Sequence, residues 1–276
     1  MPRIRAGAIE INYETYGEGE PLLLIMGFGA SGAAWLPILP MLQGFKCIYY
    51  DNRGTGTADV PADGYYIAQM ADDASNLLGA IGVERAKVFG ISMGGMIAQE
   101  LTLRHPEQVE RVVLGCTTPG SSAAIRPPDQ RIEQLIQGLE LVQSENLDAA
   151  VDVIMPLLFP EDFIATHPEL RQFMTAGLKM SPPPRRDILE LTRAGALDFD
   201  AYARLAQIKC PVLIVHGDQD VLAPVENAYL IKNQIPQAEL FIVSGTGHSF
   251  AAADPVGVHQ RITQWLKGEQ AVGTSA

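Results

Sequence analysis

The chain has 276 residues, 47% of them hydrophobic and 19% charged, which is enough apolar material for a large core and unlike a disordered chain. Lys plus Arg number 20 against 32 Asp plus Glu; the net charge of −12 repels phosphate backbones and disfavours nucleic-acid binding. No apolar run approaches the roughly 20 residues of a membrane span, Met1-Pro2-Arg3-Ile4-Arg5 lacks a signal-peptide core, and the three scattered cysteines, Cys47, Cys116 and Cys210, suggest neither a disulfide framework nor a metal site. The expectation is a cytoplasmic globular protein, a monomer or homodimer with a small-molecule substrate and no cofactor.

Residues 9–16 alternate with period two and predict a strand, closed by Gly17-Glu18-Gly19-Glu20. Leu22–Ile25 and Cys47–Tyr50 read as buried strands. Between Tyr66 and Ile81, apolar residues recur on one helical face. Ala86–Phe89 is a short strand that runs through a glycine-bracketed turn into a helix from about Met93 to Arg104. Arg111–Gly115 is the next strand. From Ser121 to about Ile208 no strand is evident. Ile132, Leu135, Ile136, Leu139 and Val142 recur at helical spacing, as do Leu170, Phe173, Met174 and Leu178, and Ser181-Pro182-Pro183-Pro184 breaks the helices. Alternation resumes with Val212–Val215, a helix from Pro224 to Gln234, Glu239–Val243, and a last helix with Asp254 as N-cap and Pro255 behind it. The pattern predicts an α/β fold, a mostly parallel sheet with helices on both faces. Residues 1–120 and 207–276 form its core, and 121–206 an inserted helical cap.

Gly90-Ile91-Ser92-Met93-Gly94 lies between a strand and a helix, the context in which a sharp turn holds a strained serine above a sheet. A serine hydroxyl is a poor nucleophile at neutral pH and needs a base. Of the five histidines, His105 reads as a helix cap, His167 as part of the cap, His216 as structural and His259 as a surface residue. His248 stands in a glycine-rich loop just after a strand, where parallel sheets place reactive groups, and is the expected base. A base needs a carboxylate to fix its tautomer. Asp220, further into the loop of His216-Gly217-Asp218-Gln219-Asp220, is the expected acid, with Asp218 binding the turn itself. Backbone N–H groups of Met93 and Phe28 are the expected oxyanion hole. Trp35, Met96, Met155, Leu158, Phe159, Val221 and Phe250 are the expected walls of an apolar pocket.

Gly27-Phe28-Gly29-Ala30-Ser31-Gly32 also matches a dinucleotide-binding pattern, with Asp51 some distance on. Pro37 and Pro40 interrupt the helix that such a site needs, so a nucleotide cofactor is not expected. Asp51 and Arg53 then read as structural residues that tie their loop to neighbouring backbone.

Taken together, Met26-Gly27-Phe28-Gly29, Asp51-Asn52-Arg53-Gly54-Thr55-Gly56, Gly90-Ile91-Ser92-Met93-Gly94-Gly95, His216-Gly217-Asp218-Gln219-Asp220 and Gly247-His248 make the sequence resemble the α/β-hydrolase superfamily over nearly its full length. It looks most like capped esterases, enol-lactonases and cofactor-free haloperoxidase-like members. The resemblance implies an eight-stranded sheet and assigns nucleophile, acid and base to Ser92, Asp220 and His248. Met26 stands where many members carry histidine, and Ile91 where many carbon–carbon bond hydrolases carry asparagine. The expected activity is a serine hydrolase of carboxylic esters or lactones, acting through an acyl-enzyme. The alternatives are a carbon–carbon bond hydrolase with the same triad and a hydrolase-like ligand receptor with slow turnover.

Overall fold

In the computed structural model, which describes residues 2–120, 122–253 and 255–269, eight strands form one sheet in the order β1-β2-β4-β3-β5-β6-β7-β8. β1 (Arg3–Ala6) and β2 (Ile9–Tyr16) form an antiparallel hairpin, and β2 pairs antiparallel with β4 (Phe45–Tyr50). From β4 onward every pairing is parallel, through β3 (Glu20–Ile25), β5 (Ala86–Ile91), β6 (Val109–Gly115), β7 (Val212–Gly217) and β8 (Glu239–Val243).

The interior strands are apolar on both faces, as a sheet covered by helices on each side requires. Successive residues point to opposite sides, so each strand feeds two cores. Leu23, Ile25, Val88, Val112, Leu114 and Ile214 pack with α1 (Ile67–Ala80), α2 (Met93–Arg104) and α8 (Glu226–Gln234). Leu22, Leu24, Phe89, Val113, Leu213 and Val215 face Trp35, Phe45 and residues 258–266 of α10 (Pro255–Leu266). Burial of each such aliphatic or aromatic side chain contributes about 1.5–3 kcal/mol. His259, expected at the surface, is buried on α10; the expected N-cap Asp254 lies outside the described residues.

Between β6 and β7 lie α3 (Asp129–Gln143), α4 (Leu147–Leu158), α5 (Glu161–Thr166), α6 (Leu170–Met180) and α7 (Arg186–Leu197). The periodicity had marked only two helical faces here, those of α3 and α6. These helices share a third core built on Ile136, Val151, Ile154 and Leu189. The bridge Gly120–Asp200 closes the insertion at its root. Ser181, where α6 ends, accepts hydrogen bonds from the Ser31 N–H (2.8 Å) and the Ser31 hydroxyl (3.0 Å), tying the insertion to the loop after β3.

That loop contains only two single-turn 3₁₀ helices, Gly32–Trp35 and Leu39–Met41, as the prolines predict. Asp51 accepts from the N–H groups of Gly32 (2.8 Å) and Thr57 (2.9 Å), a structural role. Arg53 forms a buried, two-pronged ion pair with Asp73 (2.7 and 2.8 Å), a side-chain tie in addition to its bond to the Asp63 carbonyl.

Candidate active site

Ser92 sits between β5 and α2 at φ 57°, ψ −122°, a conformation that costs a non-glycine residue about 1–3 kcal/mol and persists only where its surroundings enforce it. The enforcement is visible. Its N–H donates to the Gly115 carbonyl (2.8 Å), and its carbonyl accepts from Gly95 N–H (2.9 Å) and the Thr117 hydroxyl (2.8 Å). The flanking glycines are required by close approach: a Cβ at Gly90 would lie 2.1 Å from the Gly94 carbonyl oxygen, and one at Gly94 2.1 Å from that of Ile25.

The loop after β3 comes up beside this turn. A Cβ on Gly27 would stand 3.0 Å from the Ser92 Cβ. Asn52 donates to the Met26 carbonyl (3.1 Å), tying this loop to the one after β4. The N–H groups of Phe28 and Met93 carry no hydrogen bond among the described residues. For Met93 this is the ordinary state of a first helical residue.

His248 follows β8, and Asp220 follows β7. Nδ1 of His248 lies 2.7 Å from Oδ2 of Asp220, whose Oδ1 accepts from the N–H groups of Leu222 (2.8 Å) and Ala223 (2.8 Å). Asp218 turns away and accepts from Ser244 (3.0 Å) and Gly245 (2.7 Å), so it braces the loop that carries His248. Burial works to raise the Asp220 carboxyl, but the His248 charge and hydrogen bonds from His216 and His248 hold it well below the usual carboxylate range. Burial likewise opposes charge on His248, but the Asp220 carboxylate, together with the Cys116 sulfur beside the ring, outweighs it, so the imidazole titrates well above its ordinary value.

The structure thus joins His248 to Asp220 and places Ser92 in the same cavity. The Ser92 hydroxyl makes no hydrogen bond among the described residues. Contacts between nucleophile and base characteristically tighten around bound substrate.

Two neighbours of this group have no part in the chemistry expected from sequence, Cys116 read as a scattered thiol and His216 as structural. Cys116, directly after β6 at φ 37°, lies with a ligand atom from each of Cys116, Asp220 and His248 within 4.8 Å of the others. These are metal-ligand types, but the Asp220 oxygens are already engaged, so the cluster reads as a hydrogen-bonded one. Burial pushes the Cys116 thiol up and keeps it protonated. His216, at the end of β7, is fully buried with Nε2 2.6 Å from the Ala223 carbonyl and 3.3 Å from Asp220 Oδ2. A signal for both existed: each stands at the carboxyl end of a parallel strand, as Ser92, Asp220 and His248 do.

The cavity holds about 440 Å³. Phe28, Trp35, Met93 and Met96 line it, with Ile132, Leu135, Leu139, Leu158, Phe173 and Met174 contributed by the insertion. Four expected wall residues lie elsewhere. Met155 and Phe159 face inward to the core of the insertion, where Phe159 stacks on Phe163 at 5.8 Å. Val221 is half-buried outside the wall, and its neighbours Leu222 and Ala223 take that place. Phe250 is buried under the sheet edge, where a Cβ on Gly115 would meet its ring at 3.2 Å. A second cleft of about 390 Å³, around Met41, Thr263 and Lys267, holds none of the paired groups above.

A family model described as alpha/beta hydrolase fold matches residues 20–146, and one described as TAP-like protein matches 200–271. Relatives named "Putative carbamate hydrolase RutD" include that of Caulobacter vibrioides (strain NA1000 / CB15N), 31% identical over 97% of this chain and 100% of its own length. That of Agrobacterium fabrum is 30% identical over 93% of this chain and 97% of its own. Among solved structures, the enol-lactonase from Burkholderia xenovorans LB400 superposes with a TM-score of 0.81 at 21% identity, covering 96% of this chain and 100% of that one. Est816, described as an N-acyl homoserine lactone degrading enzyme, superposes with a TM-score of 0.74 at 27% identity, covering 97% and 99%.

Proposed function

This chain belongs to the α/β-hydrolase superfamily, and we propose that it is a serine hydrolase that cleaves esters or lactones with small, apolar acyl groups through an acyl-enzyme. The observation that carries this reading is the buried Asp220–His248 pair, 2.7 Å apart, opening into the apolar cavity that also holds Ser92 on its strained turn.

The chemistry follows from the placement. His248 Nε2 takes the Ser92 proton as the serine oxygen attacks the ester carbonyl. The oxygen that becomes negative is received by the N–H groups of Phe28 and Met93, both without another partner among the described residues. Protonated His248 gives its proton to the departing alkoxide, and the released alcohol (or ring-opened hydroxyl of a lactone) leaves. Water, deprotonated by the same nitrogen, then splits the acyl-enzyme. Asp220 stays ionised and holds Nδ1–H, so Nε2 is free to accept.

The relatives' name raises carbamate cleavage as a second reading, and the same groups could attack a carbamate carbonyl. The apolar walls favour the ester: a small polar carbamate would leave most of about 440 Å³ unfilled and desolvate its amide against Ile132, Leu135 and Leu139. Ile91, in place of asparagine, weighs against carbon–carbon bond cleavage; a hydrolase-like receptor would keep the same three residues, and slow product release is what sets it apart. The helices α3–α7 act here as the cap.

The test is fluorophosphonate labelling of Ser92 together with a panel of nitrophenyl esters of increasing acyl length, lactones, a carbamate and a vinylogous diketone. Within the ester series kcat/KM rises by about fourfold per added methylene until the cavity fills. A panel led by the carbamate or by the acetate ester sinks the apolar-acyl reading.

The pH dependence carries a sign. The base must be neutral, and its pKa is raised above the ordinary imidazole value of 6.5. Activity is therefore low at pH 6.5 and grows as pH rises through a midpoint above that value, which a kcat/KM profile on a non-ionising ester measures. A midpoint below 6.5 contradicts the Asp220–His248 pairing.

A further inference from the structure

Asp220 Oδ2 is shared by two imidazoles, and only one of them enters the mechanism above. His248 Nδ1 lies 2.7 Å away and His216 Nε2 3.3 Å away. His216 Nε2 also lies 2.6 Å from the Ala223 carbonyl oxygen. Both facing groups can only accept, so Nε2 is the nitrogen that carries the proton. Nδ1 of the same ring is buried with no hydrogen-bond partner among the described residues. Ala223 is thus gripped from two directions, its N–H by Asp220 Oδ1 (2.8 Å) and its carbonyl by His216.

We infer that His216 is a positioning residue for the acid: through one shared N–H it clamps the 220–223 turn and divides the negative charge of Asp220 Oδ2 between two rings, limiting how strongly that oxygen holds a proton on His248. The inference rests on the serine-hydrolase reading for its consequence, while its physical content can be measured without turnover. Every group that faces the pair enters the balance. Asp220 Oδ1 is held by two backbone N–H groups, the His248 ring is also faced by the Cys116 thiol, Ser92 shares the cavity, and Asp218 is turned onto Ser244 and Gly245.

The sign follows from the geometry. With the His216 donor removed, all the charge of Oδ2 falls on the His248 Nδ1–H, the imidazolium is better stabilised, and the ring titrates at higher pH. The experiment is an NMR titration of the His248 ring protons in the whole protein, comparing wild type with His216→Phe and His216→Gln. Gln places an amide nitrogen near the Nε2 position and restores the donor; Phe fills the space without one. The expected result is an upward shift on the order of half a pH unit in the Phe variant, with Gln at the wild-type value. The acid limb of kcat/KM moves with it, as kcat falls and KM holds. Should His216→Phe not accumulate as folded protein, His216→Asn, whose amide is too short to reach Ala223, serves as the loss variant. Coincident titration curves for wild type and a folded loss variant overturn the inference. Wild-type protein whose Ser92 resists the fluorophosphonate would overturn the function reading alone, since the ring titration stands apart from it.

Discussion

Ser92→Ala lowers turnover of a short nitrophenyl ester by on the order of 10⁴ to 10⁶, with fluorophosphonate labelling abolished and the melting temperature nearly unchanged. The stability expectation comes from the backbone. The hydrogen bonds that enforce the turn use the Ser92 N–H and carbonyl, which alanine retains. The hydroxyl makes no bond that the fold depends on. The neighbouring thiol sharpens the result. Cys116 lies against the same His248 and Asp220, so a rival nucleophile is present in the cluster. Burial keeps its thiol protonated, and the serine holds the place beside Gly27 and the Phe28 and Met93 N–H groups. Activity that survives in Ser92→Ala but vanishes in Ser92→Ala/Cys116→Ala would move the nucleophile to sulfur and overturn the assignment.

Asp220→Asn reduces kcat on the same ester by about 10⁴, close to the cost of a wrong tautomer in a Ser-His-Asp triad. An asparagine at this site meets fixed demands. Leu222 and Ala223 each donate an N–H to Oδ1, so the amide oxygen is held there and the NH₂ faces the rings. That NH₂ confronts His248 Nδ1, which must then accept, forcing the proton onto Nε2 and disabling it as a base. It also confronts the His216 N–H at the former Oδ2 position, two donors together. The checks are steady-state rates and the melting temperature of the purified variant. A loss under tenfold would show that tautomer control does not govern this site.

The chain was most legible where local chemistry speaks. Ser92 was visible because a strand, a glycine turn and a helix adjoin it in sequence, and Asp220 and His248 because each follows a strand closely. The parallel sheet followed from its double-sided apolar strands. What stayed hidden depends on distance or on facing direction. Cys116 reads as one more buried thiol until β6 is set beside β5 and β7. His216 reads as structural until the 220–223 turn folds back on it. In the pocket wall the failures share a cause: Val221 and Leu222 are neighbours, yet only the second faces the cavity, and no periodicity fixes direction in a turn. Within α4, Leu158 and Ile154 line the wall while Met155 packs inward, a choice set by how the insertion sits over the sheet. Pro156 inside α4 also masked that helix from periodicity.

The bonds between Ser31 and Ser181 link the two sides of the chamber across 150 positions of chain. Ser181 is followed by three prolines, a stiff tether that takes up little slack. Raising the helical ceiling at this corner must either drag Ser31, and with it the adjoining Gly27–Phe28 backbone, or part both bonds at roughly 1 kcal/mol each. Ser31 thus makes the backbone beside Gly27 and Phe28 answer mechanically to the position of the insertion's α6 corner.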